Sequence, residues 1–166
     1  MKKFLVVMIA CLLFSGCASR QTFETILDGY DVSAMTQMQQ VELSLPEDAV
    51  METFEEESAG TMYLCNGYCV TVQTMQAGDL DKTFLETTGF SKEQLPIIKT
   101  KRGEITRYDY TWCAAGEAEE QVCRGALLDD GCYHYVITVM ADASKAGDLT
   151  ATWQHILDSA KLIHTD

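Results

Sequence analysis

The sequence is poor in basic residues relative to acidic ones, and this shortage excludes a class of partner. It has 12 Lys and Arg against 25 Asp and Glu, a formal net charge of −13 over 166 residues. Nucleic-acid binding needs a basic face that neutralises phosphates, so we expect no nucleic-acid partner. With 47% hydrophobic and 22% charged residues, the chain has the composition of one ordinary globular domain rather than of a disordered tail.

Short catalytic motifs are also absent. The sequence contains no Gly-x-Ser-x-Gly elbow, no phosphate-binding glycine loop and no His-Glu-x-x-His zinc motif. His134, His155 and His164 stand at no spacing from a serine or cysteine that indicates a nucleophile–base pair. The absence of these motifs lowers the expectation of an enzyme. It does not exclude one, because residues distant in the sequence can still assemble an active site. We expect a non-catalytic protein that uses no cofactor and no metal.

No apolar run is long enough for a permanent membrane anchor. Lys2 and Lys3 precede eleven apolar residues, Phe4 to Phe14, which is the charged start and short apolar region of an export signal. A spanning helix needs about 20 apolar residues. The sequence Phe14-Ser15-Gly16-Cys17 follows, with small residues leading directly into a cysteine.

This junction resembles the lipobox of bacterial lipoproteins, in which the cysteine is acylated and becomes the first residue of the mature chain. Phe14 departs from the family pattern, which usually has leucine there. The resemblance implies that residues 1–16 are a signal peptide and that Cys17 carries palmitate-type lipid. It also implies an anchor on the extracytoplasmic side of a bacterial cell membrane. The alternative is an ordinary secretory signal in which Cys17 is incidental.

Processing at Cys17 makes the protein more acidic. Removal of Lys2 and Lys3 leaves 10 bases against 25 acids, a side-chain net charge of −15. An anionic bilayer surface repels such a chain, so the lipid on Cys17, and not a protein face, has to hold it at the membrane. Residues 17–38 are polar and are predicted to be a tether that leads into the domain.

Residues 39–166 predict a single α+β domain. Strand patterns flank Asn66-Gly67, which is the strongest short hairpin signal. Apolar residues at helical spacing predict a middle helix over Asp79–Thr88 and a C-terminal helix over Ser144–Leu162. We expect a mainly antiparallel sheet of about six or seven strands, with both helices packed on it.

This order of elements, with the terminal sequence from Trp153 to Leu162, resembles the PsbP/DcrB-like fold over roughly residues 39–164. Members of that fold are mostly non-catalytic and often lipid-anchored. The resemblance implies a role in binding a protein or small ligand, or in envelope assembly, although a fold alone does not determine a function.

The last three strands predict one apolar face beneath the C-terminal helix. The register assumes a two-residue loop at Asp130-Gly131 and a preceding loop centred on Ala118. Arg124 falls within the apolar set and is expected to stack on Trp112. We interpret the set as core, and a ligand pocket is the alternative. Its members are Tyr108, Tyr110, Trp112, Val122, Ala126, Leu128, Tyr133, Tyr135, Ile137 and Val139.

The same register predicts two disulfides and one unpaired cysteine. Cys113 is expected directly opposite Cys123, and Cys65 and Cys69 bracket the Asn66-Gly67 turn at a separation that a bulged hairpin could bridge. Cys132 is left over. The competing hypothesis is a thiol–disulfide exchange protein that uses Cys65 and Cys69.

Half of the basic residues of the mature chain fall within a segment of sixteen residues. A solvated surface with an uneven charge distribution explains this. The sharper alternative is a basic patch that docks an acidic partner or an anionic envelope polymer, and its candidate residues are Lys99, Lys101, Arg102 and Arg107.

Overall fold

The computed structural model describes residues 38–53, 60–116 and 119–163. The predicted signal peptide, Cys17 and most of the tether lie outside these residues. Within the described ranges the chain forms nine strands and two α-helices. In chain order these are β1 (Gln40–Glu42), β2 (Val50–Thr53), β3 (Thr61–Cys65), β4 (Tyr68–Gln76), α1 (Leu80–Thr88), β5 (Ile97–Arg102), β6 (Ile105–Ala115), β7 (Glu120–Asp129), β8 (Tyr133–Asp142), α2 (Ala143–Ser159) and β9 (Lys161–Ile163).

Seven strands form one antiparallel sheet in the order β2-β3-β4-β8-β7-β6-β5. This confirms the predicted α+β architecture with a middle and a C-terminal helix. The C-terminal helix, however, ends at Ser159 instead of Leu162. Lys161–Ile163 pairs with Gln40–Glu42 as a separate two-stranded ribbon, and Lys161 Nζ lies 2.9 Å from a carboxylate oxygen of Glu42.

Local signals account for the ends of the elements. Asn66-Gly67 forms the predicted two-residue loop, with Gly67 at a φ of 84°. Asp79 caps α1, since its carboxylate accepts the N–H of Asp81 at 3.0 Å. Gly89 ends the same helix in the left-handed conformation that glycine adopts without steric cost.

The sheet has a helix on each face. On one face, here called the α2 face, Trp153 and Ile156 of α2 pack over β7 and β8. On the opposite α1 face, Phe84 of α1 packs edge-on against Tyr110 with ring centroids 4.9 Å apart. The core therefore has two layers, whereas the sequence predicted a single apolar face.

The predicted register between β6 and β7 is wrong by one residue. Trp112 pairs with Cys123 and Tyr110 with Gly125, instead of with Arg124 and Ala126. Side chains alternate between faces, so this shift moves the β6 aromatic residues from the α2 face to the α1 face. Ala115 pairs with Glu120, so the number of residues between the two strands is even, whereas a loop centred on Ala118 requires an odd number.

The turn between β7 and β8 is longer than predicted, but the side chains of β8 still point to the predicted faces of the sheet. Asp129 pairs with His134 instead of Cys132, a shift of two residues. Asp130 supports the longer turn, because its Oδ1 accepts the N–H groups of Cys132 at 2.9 Å and Tyr133 at 2.7 Å. A shift of two keeps the side chains of β8 on their predicted faces.

Neither predicted disulfide is present in the structure, and the observed strand pairing places the two cysteines of each pair on opposite faces of the sheet. Cys113 pairs with Val122 on the α2 face, while Cys123 points to the α1 face. Cys65 pairs with Tyr68, so Cys69 of the same regular hairpin points to the opposite face from Cys65. All five cysteines in the described part of the chain, Cys132 included, are free thiols.

Candidate ligand groove

A cavity of about 490 Å³ opens on the α2 face between the C-terminal half of α2 and strands β5 to β7. Among the described residues, α2 packs mainly on β7 and β8, and this leaves space between α2 and the β5 edge of the sheet. We call this cavity the groove. The residues that line it include Ile98, Asp109, Thr111, Arg124, Gln154 and Asp158.

Arg124 is the cation at one end of the groove. Its guanidinium lies 6.0 Å from the ring centroid of Trp153, so the expected stacking on Trp112 is replaced by a contact with the helix. No residue in the described ranges accepts a hydrogen bond from the guanidinium of Arg124, which is a partly buried residue. The sequence indicates this site through Arg124, which is the charged member of the otherwise apolar face predicted for the last three strands.

A second polar cluster closes the other end. Arg107 donates a bidentate pair of hydrogen bonds to Asp109, at 2.7 Å from Nη2 and 3.0 Å from Nε. Its Nη1 donates to the carbonyl of Leu157 at 2.9 Å, and Asp158 lies 3.7 Å from Nη2. These bonds tie the end of α2 to β6, and they leave Asp158 as the more exposed carboxylate of the cluster.

The four residues of the predicted basic patch do not form one surface. Lys99 and Lys101 point to the α1 face, where Lys99 Nζ lies 5.4 Å from the ring centroid of Tyr108. Arg102 and Arg107 point to the α2 face. The side chain of Arg107 is only 17% exposed and is bound to Asp109, which is one of the lining residues of the groove.

The predicted redox cysteines lie away from the groove. Burial raises the pKa of Cys65, and a contact with Tyr68 only partly opposes this. Burial also raises the pKa of Cys69, as does the neighbouring Cys65. Exchange needs a thiolate with a depressed pKa, so these directions disfavour the thiol–disulfide hypothesis.

A buried polar cluster on the α1 face was missed by the sequence reasoning. Thr83 Oγ1 lies 2.8 Å from Nδ1 of His134, and His134 Nε2 lies 3.9 Å from Asp129. The order of groups is that of a nucleophile, a base and an acid. Thr83 is 4% exposed and His134 is 2% exposed, so no substrate reaches them and the cluster joins α1 to the sheet.

The described part of the chain contains neither a metal-binding cluster nor a membrane-spanning helix. Within these ranges, no group of three or more His, Cys, Asp or Glu side chains is arranged to hold a metal ion. None of the helices in the same ranges combines the length and apolar character needed to cross a membrane.

Comparison with known proteins finds a similar fold but identifies no family. No family model and no curated protein matches the sequence. Among solved structures, the chain is similar to LpqN, a Mycobacterium tuberculosis protein involved in cell envelope biogenesis, with a TM-score of 0.52 at 10% identity over 77% of this chain and 86% of that one. A chain from Bacteroides thetaiotaomicron gives a TM-score of 0.49 at 8% identity, over 75% of this chain and 45% of that one. The likeness to LpqN shows a shared fold.

Proposed function

We propose that this protein is a lipid-anchored, extracytoplasmic, non-catalytic binding protein of the bacterial cell envelope, and that the groove is its ligand site. The observation that carries the proposal is the guanidinium of Arg124, which lines an open groove without an acceptor in the described ranges. A guanidinium in a groove without an acceptor from the described residues keeps its N–H donors available, so this group favours an anionic ligand.

The proposed location is supported by the sequence. Phe14-Ser15-Gly16-Cys17 resembles a lipobox, and the polar residues after Cys17 suit a tether. The fold similarity to LpqN, whose role lies in cell envelope biogenesis, supports the same compartment. Assignment to the PsbP/DcrB-like fold is part of the proposal.

The groove is better suited to holding a ligand than to transforming one. Both oxygens of Asp109 accept hydrogen bonds from Arg107, and Asp158 Oδ2 accepts one from Gln154 at 2.9 Å. The lining residues include no histidine, serine or cysteine to act as a base or nucleophile. These groups can orient a bound molecule through charge and hydrogen bonds.

Intact mass spectrometry of the protein extracted from its own membranes tests the anchor. The expected mass is that of residues 17–166 plus acyl chains, because two or more chains are needed for stable anchoring. The variant Cys17→Ser is expected to lose the acyl mass and to leave the membrane fraction. A wild-type protein with an unmodified Cys17 thiol would contradict the anchor.

Native mass spectrometry of the same preparation tests the groove. We expect a small-molecule adduct on the wild-type protein that is lost from Arg124→Gln. Arg102→Gln, which removes an exposed positive charge outside the groove, serves as the matched control and is expected to keep the adduct. An adduct retained by Arg124→Gln would place the ligand elsewhere.

A further inference from the structure

The groove carries opposite charges at its two ends. Arg124 stands at one end, directly across the sheet from Thr111 of β6. Asp109 lies two residues before Thr111 on the same strand, which places it about 7 Å away along the strand. Arg107 balances one of the two carboxylates of the Asp109–Asp158 cluster, so this end keeps a net charge of −1.

The cationic end has the geometry for a carboxylate. A guanidinium is planar and presents its N–H donors as a fork that matches two carboxylate oxygens. Contact with the Trp153 ring holds the Arg124 guanidinium against α2. The hydroxyl of Thr111, directly across from Arg124, offers a further donor at the same end.

The middle of the groove is apolar and small. Ile98 on the edge strand and Leu157 on α2 contribute to its walls, and Pro96 lies at the start of β5. The volume of about 490 Å³ falls within the range of about 300–1,000 Å³ that is usual for small-molecule sites. The occupant is therefore a compact molecule with polar ends and an apolar centre.

We propose that the ligand is a short zwitterionic peptide of about two residues, bound by its free carboxylate at Arg124 and by its free ammonium group at Asp158. Two extended residues span about 7 Å, which is comparable with the step along β6 from Thr111, opposite Arg124, to Asp109 of the Asp109–Asp158 cluster. Apolar side chains of the peptide contact Ile98 and Leu157. This inference rests on the proposed function, since it names the ligand class of the same groove.

Isothermal titration calorimetry of the full-length protein in detergent tests the inference with three probes: the dipeptide Leu-Leu, its C-terminal amide and its N-acetyl derivative. We expect Leu-Leu to bind, and amidation and acetylation each to weaken binding by about tenfold or more, because each removes one charged contact. Equal binding of the amide, or of the N-acetyl derivative, would overturn the zwitterion assignment.

Variants of the protein test which side chain binds the carboxylate of the peptide and which binds its ammonium group. Arg124→Gln is expected to lose Leu-Leu binding, Arg124→Lys to retain part of it, and the control Arg102→Gln to match the wild type. Asp158→Asn is expected to weaken Leu-Leu but to leave the N-acetyl derivative unchanged, because that probe has no ammonium group. Matching thermal unfolding curves establish that each variant is folded. An Asp158→Asn variant that weakens both peptides equally would overturn the placement of the ammonium group.

Failure of this inference is distinguishable from failure of the proposed function. If no probe binds while native mass spectrometry still shows an adduct that depends on Arg124, the groove is a ligand site but its ligand is not a dipeptide. If the adduct is also absent, both proposals are wrong.

Discussion

Thr83 of α1 and His134 of β8 share a buried hydrogen bond of 2.8 Å between Oγ1 and Nδ1. It is a polar contact between the middle helix and the α1 face of the sheet, amid the apolar packing of Phe84. The second ring nitrogen of His134, Nε2, lies 3.9 Å from a carboxylate oxygen of Asp129. Protonation places a second N–H on this ring, in a site with little room for water.

The first prediction is that the protein loses stability as the pH falls below about 6.5. Burial lowers the pKa of His134 from its ordinary value of 6.5, although Asp129 and Asp130 act in the opposite direction. The unfolded chain therefore takes up the proton at a higher pH than the folded chain, which favours unfolding on acidification. Urea unfolding between pH 8 and 5.5 measures this slope. It should shrink in His134→Gln and persist in His155→Gln, whose side chain is exposed. An unchanged slope in His134→Gln would show that another group titrates.

The second prediction concerns Arg107, which ties α2 to β6. Its replacement by alanine removes charge-assisted hydrogen bonds to Asp109 and to the carbonyl of Leu157. We expect the free energy of unfolding to fall by about 1–3 kcal/mol. The control is Lys82→Ala, which removes an exposed ion pair of 3.6 Å to Glu86 and should change stability by less than about 0.5 kcal/mol. Equal effects in chemical denaturation would contradict the structural role of Arg107.

The third prediction concerns Gly125, whose missing side chain makes room for Tyr110. A Cβ at Gly125 would lie 2.5 Å from Cζ of Tyr110, and the buried ring cannot retreat because it stacks on Trp112. Gly125→Ala is expected to destabilise the protein by about 1–3 kcal/mol in thermal or urea unfolding. Gly147→Ala in α2 is the control, because its Cβ meets nothing within 4 Å. It should stabilise the helix by about 0.5–1 kcal/mol.

The fourth prediction concerns the thiols. Denatured protein should take up five alkyl groups on the cysteines of the described ranges without prior reduction. In the native state, Cys113 should react first because it is exposed. Cys123 should react last, since it is buried and burial raises its pKa to about 11. Mass spectrometry with and without reductant measures both. Additional alkylation after reduction would show that disulfides form although the cysteines of each predicted pair point to opposite faces of the sheet.

Much of the fold was predictable because its signals are local. The Asn66-Gly67 hairpin depends on the two residues of the turn, and α1 on a cap at Asp79 and a glycine at Gly89. Such signals act over a few residues of chain, so distant contacts do not override them. The end of α2 was mispredicted because it depends on a distant contact. Lys161–Ile163 pairs with a strand that lies about 120 residues away in the sequence.

The sequence by itself determined the acidity and the mainly antiparallel α+β architecture, because composition and periodicity carry these properties. The export signal and the lipobox at Cys17 stay predictions from a resemblance. The tertiary structure decided which residues meet. A shift of one residue in β6 moved its aromatic residues beneath α1, separated Cys113 from Cys123 and left Arg124 facing Trp153. A strand with polar and aromatic residues on alternate positions fits either register, and loop length and packing on both faces choose between them. The groove, formed where α2 does not reach the β5 edge, follows from that choice.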